Sequence, residues 1–179
     1  MKERFITLLR ETDRYGIEDL ILWLEKSDFF TAPASTKYHL AKEGGLLEHS
    51  LNVFDNLQEE DFEHDRSTLI IVALLHDICK ANFYTVSERN VKRDGEWVKE
   101  PFYTIDDQYP IGHGEKSVII AQKYIKLTDE EIAAIRWHMG LSESKENYNY
   151  INKAFYKYPL ALSLHIADLK ATYLDERMW

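Results

Sequence analysis

The chain has 179 residues and a mass of 21.1 kDa, enough for one domain with a sizeable core, and its 45% hydrophobic and 13% aromatic content excludes a disordered chain. Against 31 Asp and Glu stand 22 Lys and Arg, a formal charge of −9, which disfavours a protein that tracks nucleic acid, because that binding needs cations to displace condensed counterions. The single cysteine, Cys79, excludes an internal disulfide and fits a reducing compartment.

The first stretch, MKERFITLLRETDRYG, is amphipathic but lacks the apolar run and small-residue cleavage site of a secretory leader. No window approaches the ~18 consecutive apolar residues of a membrane span, so a cytoplasmic protein is expected. Helical spacing of apolar residues predicts helices over about 2–14 (Phe5, Leu8, Leu9) and 17–27 (Leu20, Ile21, Leu24). Residues 28–45 read as a loop, punctuated by Pro33, Ser35, Thr36 and Gly44-Gly45. A helix follows over about 46–59, with Leu47, Leu51 and Phe54 on one face, and then the acidic DFEHD turn, where His64 is expected to face solvent. Residues 66–79 predict the most apolar and most buried helix.

FYTVSERNVKR and EWVKEPFYTID are two β-prone runs joined by Asp94-Gly95, a short-range hairpin signal, and Pro101 marks the second as an edge strand. The hairpin, about 83–105, is therefore expected on the surface. Helical pattern resumes over about 114–126. Thr128 and Glu131 form a capping box that starts a helix to about 139. After an Asn- and Tyr-rich loop come a short helical piece near 151–157 and a last helix from Pro159 through about 175. The sum is a mainly α single domain, 1–179, with one inserted β-hairpin.

Six residues of metal-ligand type stand where helix packing would otherwise want apolar atoms: His49, His76, Asp77, His113, His138 and Asp168. His49 follows Leu46 by three, His138 follows Ile135 by three, and Asp168 follows Leu164 by four and Ala161 by seven. A carboxylate on such a stripe is costly unless it is paired or bound to a cation, and imidazoles gathered near two carboxylates offer that cation a home. Taken singly, each residue has a plainer reading: a core histidine, a chance His-Asp pair, or an aspartate pairing with Lys170 or Arg177. Taken together, with steps of roughly 25 to 35 residues between helices, they point to one shared metal site. Asp77 and Lys80, three apart, share a face. Lys80 by itself also reads as a helix C-terminal cation, and Cys79 as a small buried filler.

The strings GGLLEHS (44–50), ALLHDICK (73–80), GHGEKS (112–117), RWHMG (136–140) and LHIADLKA (164–171) together resemble the HD superfamily of metal-dependent phosphohydrolases. The resemblance covers about residues 35–175 and implies an all-α HD-domain bundle. It implies that His49, His76, Asp77 and Asp168 hold a first metal and that His113 and His138 match the further histidines of the two-metal branch, with Asp77 bridging. Asp77 and Lys80 are then the catalytic residues. A metal-bound hydroxide would attack a phosphate ester while Lys80 neutralises the phosphoryl oxygens. Cys79 stands where relatives more often carry glycine. A ligand set of imidazole and carboxylate suits iron, manganese, nickel, cobalt or zinc, and the resemblance favours iron or manganese, two per chain.

The expected substrate is a small phosphoester, a nucleotide first among them, contacted by Lys80, Lys37, Tyr38 and His39. Phe83, Tyr84, Trp97 and Tyr103 could stack on a base, although packing within the hairpin and core is the better account of them. Two strings also resemble those of HD-type 3′–5′ exoribonucleases, which carry a β-barrel domain with no counterpart in this sequence. The same ligand order occurs in mixed-valent di-iron oxygenases, which oxygen uptake would reveal. A ligand-sensing module with weakened catalysis is the third alternative, opposed by the full ligand set. His165, one turn before Asp168, could support the site or be structural, and Glu48 and Glu115 read as solvated neighbours of ligands. The sequence leaves the oligomeric state open.

Overall fold

A computed structural model describes residues 1–60 and 63–177. Its helices, in chain order, are α1 (Lys2–Glu11), α2 (Ile17–Lys26), α3 (Gly45–Glu60), α4 (Arg66–Leu75), α5 (His113–Gln122), α6 (Asp129–Trp137), α7 (Tyr148–Lys157) and α8 (Pro159–Lys170). Between α4 and α5 lies an antiparallel hairpin of β1 (Tyr84–Arg93) and β2 (Glu96–Ile105). The architecture is thus the expected mainly α bundle with one hairpin.

The bundle is organised around α4, in which every residue from Leu69 to Leu75 is buried. Asp65 caps its start by accepting from the Thr68 backbone N–H at 3.0 Å. α3 packs against α4 and α8, and α6 packs against α5, α8 and α4. These elements, with the turns that follow α4 and α6, carry the candidate ligands. The capping box read from Thr128 and Glu131 is formed, and it gains a partner from far away: Glu131, fully buried, pairs with Arg14 at 2.5 Å. Gly114 lets α5 and α6 touch, because a Cβ there would lie 2.2 Å from the Arg136 carbonyl oxygen. That close approach brings the start of α5 to the end of α6.

Three boundaries differ from the sequence reading for a reason that matters to the site. α4 stops at Leu75 rather than near 79: Asp77 leaves helical geometry (φ −107°, ψ 16°), and Ile78–Lys80 forms a single 3₁₀ turn. α6 stops at Trp137 rather than 139. The last helix is α-helical only to Lys170 and then widens into a π turn over Ala171–Asp175. In each case the ordinary helical ladder ends close to residues that form the site. In the DFEHD turn, 61 and 62 lie outside the described residues. His64 is not the solvent-facing residue expected there: its side chain is only 16% exposed and its Nε2 lies 3.2 Å from Glu130. The hairpin, as expected, is largely exposed, with Asp94 and Gly95 in the left-handed turn conformation at φ 51° and 91°.

Candidate metal centre

Helix ends make the site. The last carbonyls of an α-helix lack intrahelical partners, and His76 and His138, the residues that follow α4 and α6, use them. His76 Nδ1 lies 2.7 Å from the Ala73 carbonyl oxygen, and His138 Nδ1 lies 2.7 Å from that of Ile135. A carbonyl oxygen only accepts, so each Nδ1 carries a proton and each ring turns its Nε2 into the site. His49, from the first half of α3, is fixed in the same sense by a carboxylate: its Nδ1 donates to Glu176 at 3.0 Å.

The three inward-facing Nε2 atoms converge on two carboxylates. His49 Nε2 lies 3.3 Å from His76 Nε2, 3.2 Å from Asp168 Oδ1 and 3.7 Å from Asp77 Oδ2. His76 Nε2 lies 3.6 Å from Asp77 Oδ2. On the other side, Asp77 Oδ1 is 2.7 Å from His113 Nε2 and 3.6 Å from His138 Nε2. All six sequence candidates are therefore together, with Asp77 between the two histidine pairs. His49, His76, Asp77 and His138 are buried.

The electrostatics show what the cluster lacks. Burial opposes the His49 imidazolium, yet Asp168 and Glu176 overcome it and raise the group to about 10. Burial lowers His76 to about 4. Burial likewise opposes ionisation of Asp77, but the Lys80 ammonium, with His76 and His113, holds its carboxyl well below the usual range. Asp168 is held low against burial by His49. The cluster thus keeps both aspartates ionised around a proton shared between His49 and Asp168. That proton does not satisfy His138 Nε2, which is buried without a hydrogen-bond partner. Buried imidazole Nε2 atoms facing each other, one of them orphaned, beside ionised carboxylates are a donor set for a cation, and the outer nitrogens of His49, His76 and His138 are anchored as metal-binding histidines usually are. Four overlapping groups could hold such an ion: His49–His76–Asp168, His76–Asp77–His138, Asp77–Cys79–His113 and His39–His49–Glu176.

Glu176 was missed in the sequence. It lies eight residues after Asp168, and the π turn carries it back over α3, where it also accepts from Asn52 Nδ2 at 2.9 Å. Asn52 stands three after His49, so a polar residue one turn from a candidate ligand was the available signal. His165, left open above, packs on the site from outside: its Nδ1 donates to the His138 carbonyl at 2.6 Å. Glu115 pairs with Arg136 at 2.5 Å and Glu48 with Lys42 at 2.8 Å. Lys170 pairs with Glu60, so the pairing of Asp168 is with His49 instead.

A cleft of about 600 Å³ opens onto the cluster, reaching His49, Asp77, Asp168 and Glu176 at its floor. Lys37, Tyr38, His39 and Lys80 all line it, with Tyr173 and Arg177 across from the loop. Lys80 Nζ donates to Asp77 Oδ2 at 2.6 Å and to the Ala34 carbonyl at 2.8 Å, which ties that loop to the cluster. The loop holds Leu40, buried, in the left-handed region at φ 45°, a strained conformation for a branched side chain. His39 is held neutral by burial and by His49 and Lys80, and its Nε2 is buried without a hydrogen-bond partner. Of the aromatic candidates, Tyr84 donates to the Ala34 carbonyl at 3.2 Å and Phe83 lies under Lys116. Tyr103 lines a separate groove beside the hairpin, and Trp97 is 71% exposed.

A family model for the HD domain matches residues 46–172, and the chain belongs to that family. Its members are in general metal-dependent phosphohydrolases, and the buried His and Asp groups fit a divalent metal site. No curated protein and no solved structure matches the chain. Among the described residues, no helix is long and apolar enough to cross a membrane.

Proposed function

We propose that the protein hydrolyses a small phosphoester, a nucleotide, at a centre of two divalent cations. His49, His76, Asp77 and Asp168 would hold the first cation, and His113, His138 and Asp77 the second, with iron or manganese as the leading metals. The observation that carries this reading is the convergence on two ionised aspartates of the inward Nε2 atoms of three imidazoles whose Nδ1 atoms are anchored outward. When bound, the cations supply Lewis acidity toward phosphoryl oxygens and lower the pKa of water toward neutrality.

The chain's own groups do the rest. Asp77 keeps its charge under burial because Lys80 lies against it, and Lys80 keeps its proton for the same reason. Two of the three ammonium donors are engaged by Asp77 and Ala34, which leaves one for the equatorial oxygens of a phosphoryl group in the cleft. Glu176 holds the His49 ring with its Nε2 inward. Lys37 and Arg177 bring positive charge to the mouth, His39 supplies an uncommitted ring nitrogen, and Tyr38 and Tyr173 offer flat faces to a base.

The test is elemental analysis of gently purified protein followed by phosphate release across a nucleotide panel. Two metals per chain and one dominant nucleotide are expected. Oxygen uptake by iron-loaded protein without phosphate release would move the assignment to the di-iron oxygenases. Absence of bound metal would overturn both.

A further inference from the structure

The mechanism above makes no use of Cys79, although its side chain lies inside the cluster. Cys79 is buried on the 3₁₀ turn that follows Asp77, and its Sγ stands 3.3 Å from Nδ1 and 3.9 Å from Nε2 of His113. A sulfur on the axis of one ring nitrogen would lie much further from the other, so the thiol sits across the ring edge rather than at the end of one N–H. Asp77, Cys79 and His113 each present a donor atom within 4.8 Å of the other two. The nitrogen that faces Asp77 is Nε2, 3.9 Å from the sulfur; a tetrahedral ion with metal–sulfur and metal–nitrogen bonds of about 2.3 and 2.05 Å needs about 3.6 Å, so binding would turn the His113 ring to aim Nε2 toward the sulfur.

A second observation points to the same place. His138 Nε2, fully buried and without a hydrogen-bond partner, is aimed at Asp77 Oδ1, the oxygen that also faces His113. His113 is also the exception among the imidazoles. The Nδ1 atoms of His49, His76 and His138 are each anchored to an oxygen, whereas among the described residues the partner of His113 Nδ1 is the sulfur of Cys79.

We propose that Cys79 is a metal ligand, joining Asp77, His113 and His138 in a thiolate-bearing second subsite that selects iron, cobalt or zinc over manganese or magnesium. The inference rests on the metal-centre reading and sharpens it. On binding, the S–H bond breaks, the proton leaves to solvent, and the sulfur lone pair forms the bond to the cation without change of oxidation state. A thiolate is a soft donor, and soft donors discriminate against the cations that prefer oxygen.

Metal-stripped full-length protein titrated with cobalt(II) tests this directly. Because Cys79 is the chain's one cysteine, any thiolate-to-cobalt charge-transfer absorption in the near ultraviolet reports this residue alone. The wild type should show that band together with visible d–d bands. C79S should lose the band, keep d–d bands from the first subsite, and bind the second cobalt at least the roughly tenfold more weakly that loss of even an outer partner costs. Wild-type d–d bands without the charge-transfer band overturn the assignment while leaving the metal centre intact, as does a C79S spectrum identical to wild type. No cobalt absorption at all overturns the metal centre itself. The wild-type spectrum decides the question even if C79S does not fold.

Discussion

The metal cluster and the hairpin differ in what holds them. Around the cluster, charged and polar side chains from α3, α8, the start of α5 and the turns that follow α4, α6 and α8 are buried or half-buried and interlocked: Glu176 fixes His49, His49 pairs with Asp168, and Lys80 pairs with Asp77. The hairpin packs mainly on itself, in ten-residue antiparallel register from Tyr84↔Ile105 to Arg93↔Glu96, with exposed ion pairs such as Lys99–Glu88. In the first region each polar group depends on partners distant in sequence, and loss of one leaves another buried and unsatisfied. In the second, water replaces whatever is removed. Substitutions should therefore be costly in the cluster, intermediate at its anchors and nearly silent in the hairpin.

Asp77→Ala should have the largest effect. It leaves Lys80 and the histidines buried without their shared carboxylate, at a cost of about 3–5 kcal/mol, and should abolish both metal content and turnover. Elemental analysis and thermal melting check this together, and a variant that keeps its metal would break the contrast. Chelation should lower the wild-type melting temperature and leave that of D77A unmoved.

Lys80→Ala should retain metal yet lose about 10²-fold in turnover, the order expected for one donor to developing phosphoryl charge. If K80A is fully active at unchanged metal content, the role of Lys80 toward substrate is wrong. Glu176→Gln keeps the shape of the His49 anchor but removes its charge, and should weaken metal binding by about 10–100-fold while leaving turnover at saturating metal close to wild type. Competition against a chromogenic chelator reads that number.

Away from the site, Arg14→Ala should cost about 2 kcal/mol because it strips a charged partner from the buried Glu131, with metal content unchanged in elemental analysis. The smallest effect belongs to the hairpin: Trp97→Ala, at a side chain 71% exposed, should shift stability by no more than about 0.5 kcal/mol in urea titration and leave metal affinity as it was. A large loss there would show that the hairpin is held by contacts beyond its own register.

Much of this was written in local pattern. Apolar spacing located the helices, Asp94-Gly95 and Pro101 marked the hairpin and its exposed edge, and Thr128 with Glu131 marked a helix start, because each depends on residues only a few positions apart. The six metal-type residues were legible as intrusions of imidazole and carboxylate into apolar helical positions, and the spacing between them was enough to suggest that they meet. Asp77 and Lys80 were seen to share a face, which the 3₁₀ turn preserves even though the expected α-helix does not reach them.

Tertiary structure decided what depends on pairing across the chain. The anchoring of His49, His76 and His138 follows from acceptors that local sequence does not single out: two helix-end carbonyls exposed only because α4 and α6 stop early, and Glu176, brought to His49 by a π turn. The partnership of Glu131 with Arg14, 117 residues away, and the half-buried contact of His64 with Glu130 have the same origin. So does the place of Cys79, which local pattern reads as a small filler and the fold sets against His113. Short-range pattern reports which residues must be buried. Which buried polar groups then satisfy one another is settled only when the helices dock.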